Sequence, residues 1–331
     1  MTTAPPNIVR SAYAELIVTD LDRARWFWVD MLGFALTAAD EHALYLRGYE
    51  ERIHHSLVLR KGDEPAAACL AFRVWAESDL DAAVAWYGER GCRVERRPAG
   101  AVQGVGAAVR VEDPLGFTLE FFHATDRTER LLQRFDLHHG ANVARIDHFN
   151  ICVHDAAGAY DYYESLGFRC SETIEDEQRL YAAWMYRKPS VHDVAFTGGE
   201  SPRLHHVGFF APESHLILRL CDLFGAVNEQ DHIERGPGRH GVSNAFYVYL
   251  RDPDGHRVEV YTSDYFTGDP DHETYRWPVS DVRRRDFWGA AVVPTWYTES
   301  MPVLDLDGKV VPTIAIDADR SEVKVGADGF R

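Results

Sequence analysis

The chain has 331 residues, of which 46% are hydrophobic and 26% charged, a composition typical of a globular protein with one large or two ordinary domains. A formal net charge of −17 argues against nucleic acid or an anionic membrane as its main partner. The sequence contains no transmembrane-length apolar run and begins without a secretory signal pattern. Its five scattered cysteines form no CxxC pair, so we expect reduced thiols and a cytoplasmic protein.

The first structural signal is an internal repeat. Residues 13–34 (YAELIVTDLDRARWFWVDMLGF) and 148–168 (HFNICVHDAAGAYDYYESLGF) each show an apolar strand, an Asp, an amphipathic helix and a Leu-Gly-aromatic ending. Asp20 and Asp155 lie where a helix N-cap is expected, and Gly33 and Gly167 lie where a helix must end. The pattern therefore predicts a strand followed by a helix at the start of each half.

A second repeat marks the end of each half. The segments VEDPLGFTLEFF (111–122) and LRDPDGHRVEVY (250–261) both place Asp-Pro-x-Gly between two strands. Two further strand–helix starts, at 69–94 and 205–225, complete four units. We interpret residues 10–123 and 145–262 as two pairs of units joined by a linker at 124–144. Residues 266–331 match no unit and are predicted to cover another part of the protein.

Three residues in the second half form a candidate metal site. His148, His206 and Glu259 lie on three different predicted strands, and one inward side chain per strand can converge on a point. Two imidazoles and one carboxylate leave three metal positions open, which suits non-haem Fe(II) enzymes that bind substrate and O2 side by side. Mn(II) and Zn(II) accept the same ligands, so the ligand set alone does not select the metal.

A single histidine in a strand is more often a core or surface residue, and the first half supplies an internal control. Glu120 aligns with Glu259 through the Asp-Pro-x-Gly turn, whereas Tyr13 or Ala14 aligns with His148, and residues 69–71 contain no histidine. The fold therefore does not require these histidines, which favours a functional role for them. The first half is predicted to be catalytically silent.

The stretch GRHGVSNAFYVYLRDPDGHRVE (238–259) resembles the signature of the type I extradiol ring-cleavage dioxygenases of the vicinal oxygen chelate superfamily. The resemblance implies an α+β fold of four βαβββ modules paired into two domains. It places a non-catalytic domain at 1–135, a catalytic domain at 145–265 and a C-terminal lid at 266–331. Within this family, the chain is most similar to the homoprotocatechuate (3,4-dihydroxyphenylacetate) 2,3-dioxygenases.

The resemblance also implies roles for individual residues. His148, His206 and Glu259 would hold one Fe(II) or Mn(II) per chain, with O2 as co-substrate and a catechol as substrate. The other implied roles are catalytic residues His192, Tyr249 and Asn150, and substrate-binding residues Trp184, Arg235, His240 and Arg285. The resemblance further implies a homotetramer.

Less specific interpretations remain open at this point. His192 can be a surface-loop residue, Trp184 and Tyr249 can be core aromatics, Asn150 can bond to the backbone, and the arginines can form solvated basic patches. Two other functions also suit the scaffold. One is a glyoxalase-like isomerase, which uses a second carboxylate, and the other is a non-enzymatic binding protein, which lacks the metal triad.

Overall fold

Each half of the chain contains two copies of one βαβββ unit in the computed structural model, which describes residues 3–315. The strands of the first half are β1 (Ile8–Val18), β2 (Ala35–Ala39), β3 (Ala43–Arg47), β4 (Leu57–Lys61), β5 (Ala66–Val74), β6 (Val94–Arg97), β7 (Ala108–Glu112) and β8 (Thr118–Phe122). Its helices are α1 (Leu21–Arg25), which continues as a π-helix (Trp26–Met31), and α2 (Ser78–Glu89).

The second half repeats the same order and adds a tail. Its strands are β9 (Arg145–Val153), β10 (Arg169–Glu175), β11 (Leu180–Tyr186), β12 (Val194–Gly198), β13 (Arg203–Phe210), β14 (Ile233–Arg239), β15 (Phe246–Arg251) and β16 (Arg257–Thr262), and its helices are α3 (Ala156–Ser165) and α4 (Ser214–Ala226). The tail contains β17 (Tyr275–Pro278), β18 (Trp288–Gly289), α5 (Thr295–Thr298) and β19 (Met301–Pro302). Short 3-10 helices lie at Phe135–Leu137, Gln230–His232, Val242–Asn244 and Val282–Arg284.

The two sheets have the same internal symmetry. Strand order is β2-β3-β4-β1-β5-β8-β7-β6 in the first and β17-β10-β11-β12-β9-β13-β16-β15-β14-β18 in the second, where β19 also pairs with β13. In both sheets the first strands of the two units pair antiparallel, β1 with β5 and β9 with β13. Each first strand also runs parallel to the last strand of its own unit. This arrangement confirms the predicted α+β fold of four paired modules.

The predicted helix ends are also present. Asp20 accepts hydrogen bonds from the backbone N–H groups of the first turn of α1, and Asp155 does the same for α3. Gly33 and Gly167 end the helical segments with φ of 85° and 82°, a backbone conformation that favours glycine. The first helix differs from expectation, because after α1 it widens into a π-helix. That wider segment buries Phe27, Trp28 and Val29 together, although they are consecutive in sequence.

One hydrophobic core joins the two halves. Trp28 is completely buried, packs against Phe34 and Phe209, and donates from its indole Nε1 to Asp252 at 3.1 Å. Asp252 is the first residue of the Asp-Pro-x-Gly turn in the second half, so a first-half helix is fixed to the turn that precedes β16. No helix within residues 3–315 has the length and apolar character needed to cross a membrane.

The tail extends the second sheet. Strand β17 pairs parallel with β10, β18 pairs antiparallel with β14, and β19 pairs antiparallel with β13. Within the described residues, the tail therefore contacts both edges of the second sheet. Residues 316–331 of the predicted lid lie outside that range, and the division of the chain at 135, 145 and 265 stays a prediction.

The fixed position of Trp28 leads to a test of the shared core. Trp28→Ala removes a fully buried indole and the donor to Oδ2 of Asp252, so we expect it to lower the free energy of unfolding by about 3–5 kcal/mol. Trp75→Ala is the control, because Trp75 is 70% exposed and should change stability by less than about 0.5 kcal/mol. Denaturant unfolding of the two variants measures both values, and equal small losses would contradict a common core.

Candidate metal centre

The three candidate ligands are brought together by strand register. In the pairing of β9 with β13, His148 lies opposite Gly208, and in the pairing of β13 with β16, Gly208 lies beside Glu259. His206 precedes Gly208 by two residues and therefore points to the same face of the sheet. Gly208 itself has no side chain, and the imidazole of His148 occupies the space above it. The sheet thus directs all three side chains to one point.

The donor atoms have the spacing of a facial ligand set. His148 Nε2 lies 3.0 Å from Glu259 Oε2 and 3.2 Å from His206 Nε2, and His206 Nε2 lies 3.3 Å from Glu259 Oε2. Metal–ligand bonds of about 2.1 Å at right angles place neighbouring donor atoms about 3.0 Å apart. All three side chains are buried, with 1%, 2% and 4% of their surface exposed. The residues therefore fit a divalent cation with open coordination positions.

Charges around His148 also favour a cation. Its Nδ1 lies 3.0 Å from Asp147 Oδ2, the orientation by which carboxylates fix a metal-binding imidazole. Burial lowers the pKa of His148, but the hydrogen bonds to Asp147 and Glu259 outweigh that effect and raise it. Burial alone would raise the pKa of Asp147, and the charge of Lys188, followed by His148, holds it well below its usual range. The ligand pocket thus contains negative charge that a bound cation would neutralise.

His206 is oriented by a chain of hydrogen bonds. Its Nδ1 lies 2.7 Å from Nδ1 of His205, and His205 Nε2 lies 3.0 Å from the backbone oxygen of Trp296. Because the oxygen can only accept, His205 carries its proton on Nε2 and accepts from His206 Nδ1–H. His206 Nε2 is then left with a free lone pair for a metal. His205 uses both of its nitrogens in this chain, so it is not an alternative ligand.

A cavity of about 380 Å³ opens onto these donors. The seven other residues proposed from the sequence all line it: Asn150, Trp184, His192, Arg235, His240, Tyr249 and Arg285. A concave site of this size with a few convergent polar groups is typical of a small-molecule pocket. The structure thus brings the complete predicted set of site residues together around one space.

His192 lies directly beside the candidate ligands. Its ring centroid is 3.8 Å from that of His148, and its Nδ1 is buried without a hydrogen-bond partner among the described residues. Burial, followed by the charge of His148, lowers the pKa of His192 well below its usual range. The ring is therefore neutral and can accept a proton from a molecule in the cavity. This position contradicts the interpretation of His192 as a surface-loop residue.

Tyr249 and His240 form a second hydrogen-bond chain. Tyr249 Oη lies 2.9 Å from His240 Nε2, and His240 Nδ1 lies 2.5 Å from the backbone oxygen of Arg285. His240 must donate from Nδ1 to that oxygen, so its Nε2 accepts the tyrosine proton. Burial, and then the charge of Glu259, raise the pKa of Tyr249 well above its usual range. The phenol therefore stays protonated beside the ligands.

Two guanidinium groups supply positive charge to the same cavity. Arg235 is buried, with 3% of its surface exposed. Its guanidinium group donates to Asp286 Oδ1 at 2.5 Å and lies 4.4 Å from the ring centroid of Trp296. Arg285 donates to the hydroxyl of Tyr297. Both arginines keep a buried Nε–H without a hydrogen-bond partner within residues 3–315. These donors are suited to an anionic group on a bound molecule.

Apart from Arg285, the sequence did not reveal which residues of the tail form the cavity wall. The lining residues that sequence reasoning missed include Trp296, Tyr297, Thr298 and Ser300. Arg257, on β16, holds this segment by donating to the backbone oxygens of Thr295 and Glu299 at 3.0 and 3.1 Å. The tail was predicted to cover another part of the protein, and the adjacent aromatic residues Trp296 and Tyr297 were the sequence feature that could have indicated which part of the tail does so.

The first half contains the same positions without metal ligands. Tyr13 lies opposite Ala71, which lies beside Glu120, and Glu120 lies opposite Arg110. The second half has the same register, in which His148 lies opposite Gly208, Gly208 lies beside Glu259, and Glu259 lies opposite Tyr249. Tyr13, rather than Ala14, is therefore the counterpart of His148. By the same spacing, Glu15 is the counterpart of Asn150 and Cys69 is the counterpart of His206. His55 corresponds to His192, and Tyr45 corresponds to Trp184.

Comparisons with known proteins identify the family. The model of the Glyoxalase/Bleomycin resistance protein/Dioxygenase superfamily matches residues 10–121 and 145–260. The structure of homoprotocatechuate 2,3-dioxygenase from Arthrobacter globiformis is 55% identical with a TM-score of 0.94, over 95% of this chain and 98% of that one. The chain belongs to the extradiol dioxygenases. This membership confirms the family and fold class predicted from the sequence.

Two further relatives extend the comparison. The homoprotocatechuate 2,3-dioxygenase from Brevibacterium fuscum, in its complex with 3,4-dihydroxyphenylacetate, is 55% identical with a TM-score of 0.93, over 95% of this chain and 99% of that one. The manganese-dependent 2,3-dihydroxybiphenyl 1,2-dioxygenase of Geobacillus genomosp. 3 is 28% identical over 298 residues, which is 85% of this chain and 94% of the relative. The chain is accordingly an enzyme, and the non-enzymatic alternative is set aside.

The space above Gly208 provides a test of the metal centre. A Cβ at this position would lie 2.1 Å from the His148 ring, so Gly208→Ala must displace that imidazole. We expect bound metal to fall at least about tenfold, the usual scale for disturbing the support of a ligand. Gly225→Ala is the matched control, because its Cβ would meet nothing within 4 Å. Metal analysis after dialysis against limiting Fe(II) or Mn(II) gives the comparison, and full binding by Gly208→Ala would contradict the proposed ligand geometry.

Proposed function

We propose that this enzyme opens the aromatic ring of 3,4-dihydroxyphenylacetate with O2, adding both oxygen atoms to give 5-carboxymethyl-2-hydroxymuconate semialdehyde. The observation that carries the proposal is the combination of a facial donor triad and the guanidinium groups of Arg235, which is buried, and Arg285, which is half-buried, in one cavity. The triad suits a catechol, and the guanidinium groups suit the carboxylate of its side chain. The solved homoprotocatechuate 2,3-dioxygenases of the same fold support this substrate class.

One Fe(II) or Mn(II) per chain is part of the proposal, with His148, His206 and Glu259 as its ligands. When bound, such an ion supplies a chelating centre for two vicinal hydroxyl oxygens and an adjacent position for O2. A second candidate group, formed by Asp147, His148 and His192, is a poorer ligand set. Asp147 is ion-paired to Lys188 and does not line the cavity.

The proton transfers are assigned to the cavity's own side chains. Neutral His192 is the general base, since its ring lines the cavity beside His148 and can take a proton from a catechol hydroxyl and return it during ring opening. Tyr249 donates to His240 in the structure, and its hydroxyl can also hydrogen-bond a catechol oxygen beside Glu259. Asn150 lies on the cavity face two residues after His148, where its amide can donate to bound O2.

Substrate orientation is assigned to the arginines and Trp184. A guanidinium fork matches a carboxylate in a bidentate arrangement, which would direct the two hydroxyls of the substrate toward the triad. Arg235 is already paired with Asp286, whereas the side-chain partner of Arg285 is the neutral hydroxyl of Tyr297. Arg285 is therefore the stronger candidate for the substrate carboxylate. Trp184 lines the cavity and can pack against the ring.

The assembly and location of the enzyme also belong to the proposal. A homotetramer is implied by the resemblance to its family, and a cytoplasmic location by its five free cysteines. Size-exclusion chromatography with light scattering tests the first of these. A monomer at micromolar concentration would contradict the tetramer without affecting the proposed chemistry.

The pseudo-symmetric halves allow a matched test of the ligand assignment. His206→Ala removes one of three ligands, so we expect loss of bound metal and of O2 uptake. Glu120→Gln alters the first-half counterpart of Glu259, where Arg110 rather than a metal contacts the carboxylate at 2.5 Å. That variant should keep its metal per folded chain, even if breaking a buried ion pair lowers its stability. Half of the metal lost in Glu120→Gln, or normal activity in His206→Ala, would refute the assignment.

Substrate selection is tested by comparing two catechols. Losing one charged hydrogen bond costs roughly 1.5–3 kcal/mol, so Arg285→Gln should lower kcat/KM for 3,4-dihydroxyphenylacetate by about 10- to 200-fold. Unsubstituted catechol has no carboxylate and should change little. Arg283→Gln is the control, because the neighbouring Arg283 is 66% exposed and paired with Asp281. Equal losses for both substrates would exclude a carboxylate-binding role for Arg285.

A further inference from the structure

A second and larger cavity, of about 480 Å³, lies between the two halves of the chain. Its walls come from β1, β5 and the segments 50–53 and 125–127 of the first half, and from β9 and residues 188–190 of the second. None of its lining residues also lines the cavity beside His148, His206 and Glu259. We call this space the interdomain cavity, and the proposed ring-opening chemistry makes no use of it.

The interdomain cavity is strongly basic in a protein that is acidic overall. Four arginines from distant parts of the first half converge on it: Arg10, Arg52, Arg73 and Arg127. None of these four forms an ion pair with another residue in the range 3–315. The recorded side-chain partners are backbone oxygens, with Arg10 Nη1 2.8 Å from the oxygen of Ser11 and Arg73 Nε 3.3 Å from that of His123.

The acidic residues of the cavity do not neutralise these arginines. Glu50 is paired with Arg145 at 2.8 Å. Glu51 is buried and accepts hydrogen bonds from the backbone N–H of Gly48 at 2.8 Å, from that of Ile146 at 3.2 Å and from the hydroxyl of Ser56. The charge of Arg10 opposes the rise in the pKa of Glu51 that burial causes, but Glu51 forms no ion pair with an arginine within residues 3–315. Lys188, which also lines the cavity, is paired with Asp193 on its other side. The four arginines therefore leave a surplus of positive charge.

Like charges held together in a concave site repel one another, and the effect is visible at Arg73. Burial, followed by the charges of Arg10 and Arg127, lowers the pKa of this guanidinium. The chain as a whole has a net charge of −17, so the surplus of positive charge in this cavity is a local feature and does not follow from the composition. Ser190 adds a buried hydroxyl at the cavity that has no hydrogen-bond partner among the described residues. An anion bound among these groups would relieve the repulsion and satisfy the hydroxyl.

We propose that the interdomain cavity is a binding site for a small polyanion that carries a phosphate or several carboxylates. Guanidinium forks bind both groups in a bidentate manner, and a cavity of this volume accepts a molecule of metabolite size. Such an anion would be held by arginines of the first half and would touch β9 and residues 188–190 of the second half. It would therefore stabilise the contact between the two halves.

The test uses the metal-loaded enzyme and two probes, inorganic phosphate and tricarballylate, at constant pH and ionic strength. Calorimetric titration should show saturable binding of at least one probe to native protein, and the same probe should raise its melting temperature. The two probes separate a phosphate ligand from a carboxylate ligand. Arg73→Gln and Arg127→Gln should each weaken binding by about tenfold or more, the scale of one charged hydrogen bond. Arg96→Gln is the control, since Arg96 is exposed and paired with Asp81, outside the cavity.

Three results would overturn the proposal. One is the absence of saturable binding of either probe up to millimolar concentration. Another is binding that Arg73→Gln and Arg127→Gln leave unchanged, because the probe would then occupy another site such as the metal centre. The third is dissociation of the assembly by the arginine variants without any response to the probes, which would show that an acidic surface of a second copy covers the cavity. None of these results bears on the ring-opening activity.

Discussion

The antiparallel pairing of β9 with β13 is the constraint on which the site depends. It places His148 opposite Gly208, while the parallel pairing of β13 with β16 places Glu259 on the other side of the same glycine. Only a residue without a side chain leaves room for the His148 imidazole there. A one-residue slip in either pairing would turn a ligand to the opposite face of the sheet and destroy the triad. The catalytic cavity and the tail that closes it are arranged around this crossing.

The two halves show how one scaffold handles buried charge in two ways. In the first half, Glu120 and Glu15 both contact Arg110, at 2.5 and 2.8 Å, so the carboxylates are neutralised by the chain itself. In the second half, the counterpart of Arg110 is the neutral Tyr249, and within residues 3–315 the only side-chain cations that can contact Glu259 are the imidazoles around it. A buried carboxylate that is not satisfied by several hydrogen-bond donors needs a cation nearby. The first half is therefore complete without a metal, whereas the second half is built to receive one.

Much of this could be predicted from the sequence because the relevant signals are local or repeated. The Asp-Pro-x-Gly turn fixes the register of β15 and β16 and therefore the position of Glu259, and the repeat identified Glu120 as its silent counterpart. Contacts with distant segments that carry no motif or repeat could not be predicted. Trp296 belongs to a tail without repeat or periodicity, and Asp286 became the partner of Arg235 only through the folding of that tail. The arginines of the interdomain cavity are separated by up to 117 positions, from residue 10 to residue 127, and no spacing rule connects them.

The central property of this enzyme is that the cavity of its second half inserts both atoms of O2 into a catechol ring. The most direct measurement is the mass of the product freshly formed from 3,4-dihydroxyphenylacetate under 18O2 by enzyme loaded with Fe(II) or Mn(II) without air. The account predicts a ring-opened product in which two 18O atoms are incorporated per molecule, formed in proportion to bound metal. A product with one labelled atom or none at the earliest time points, or O2 uptake that leaves the ring intact, would contradict it.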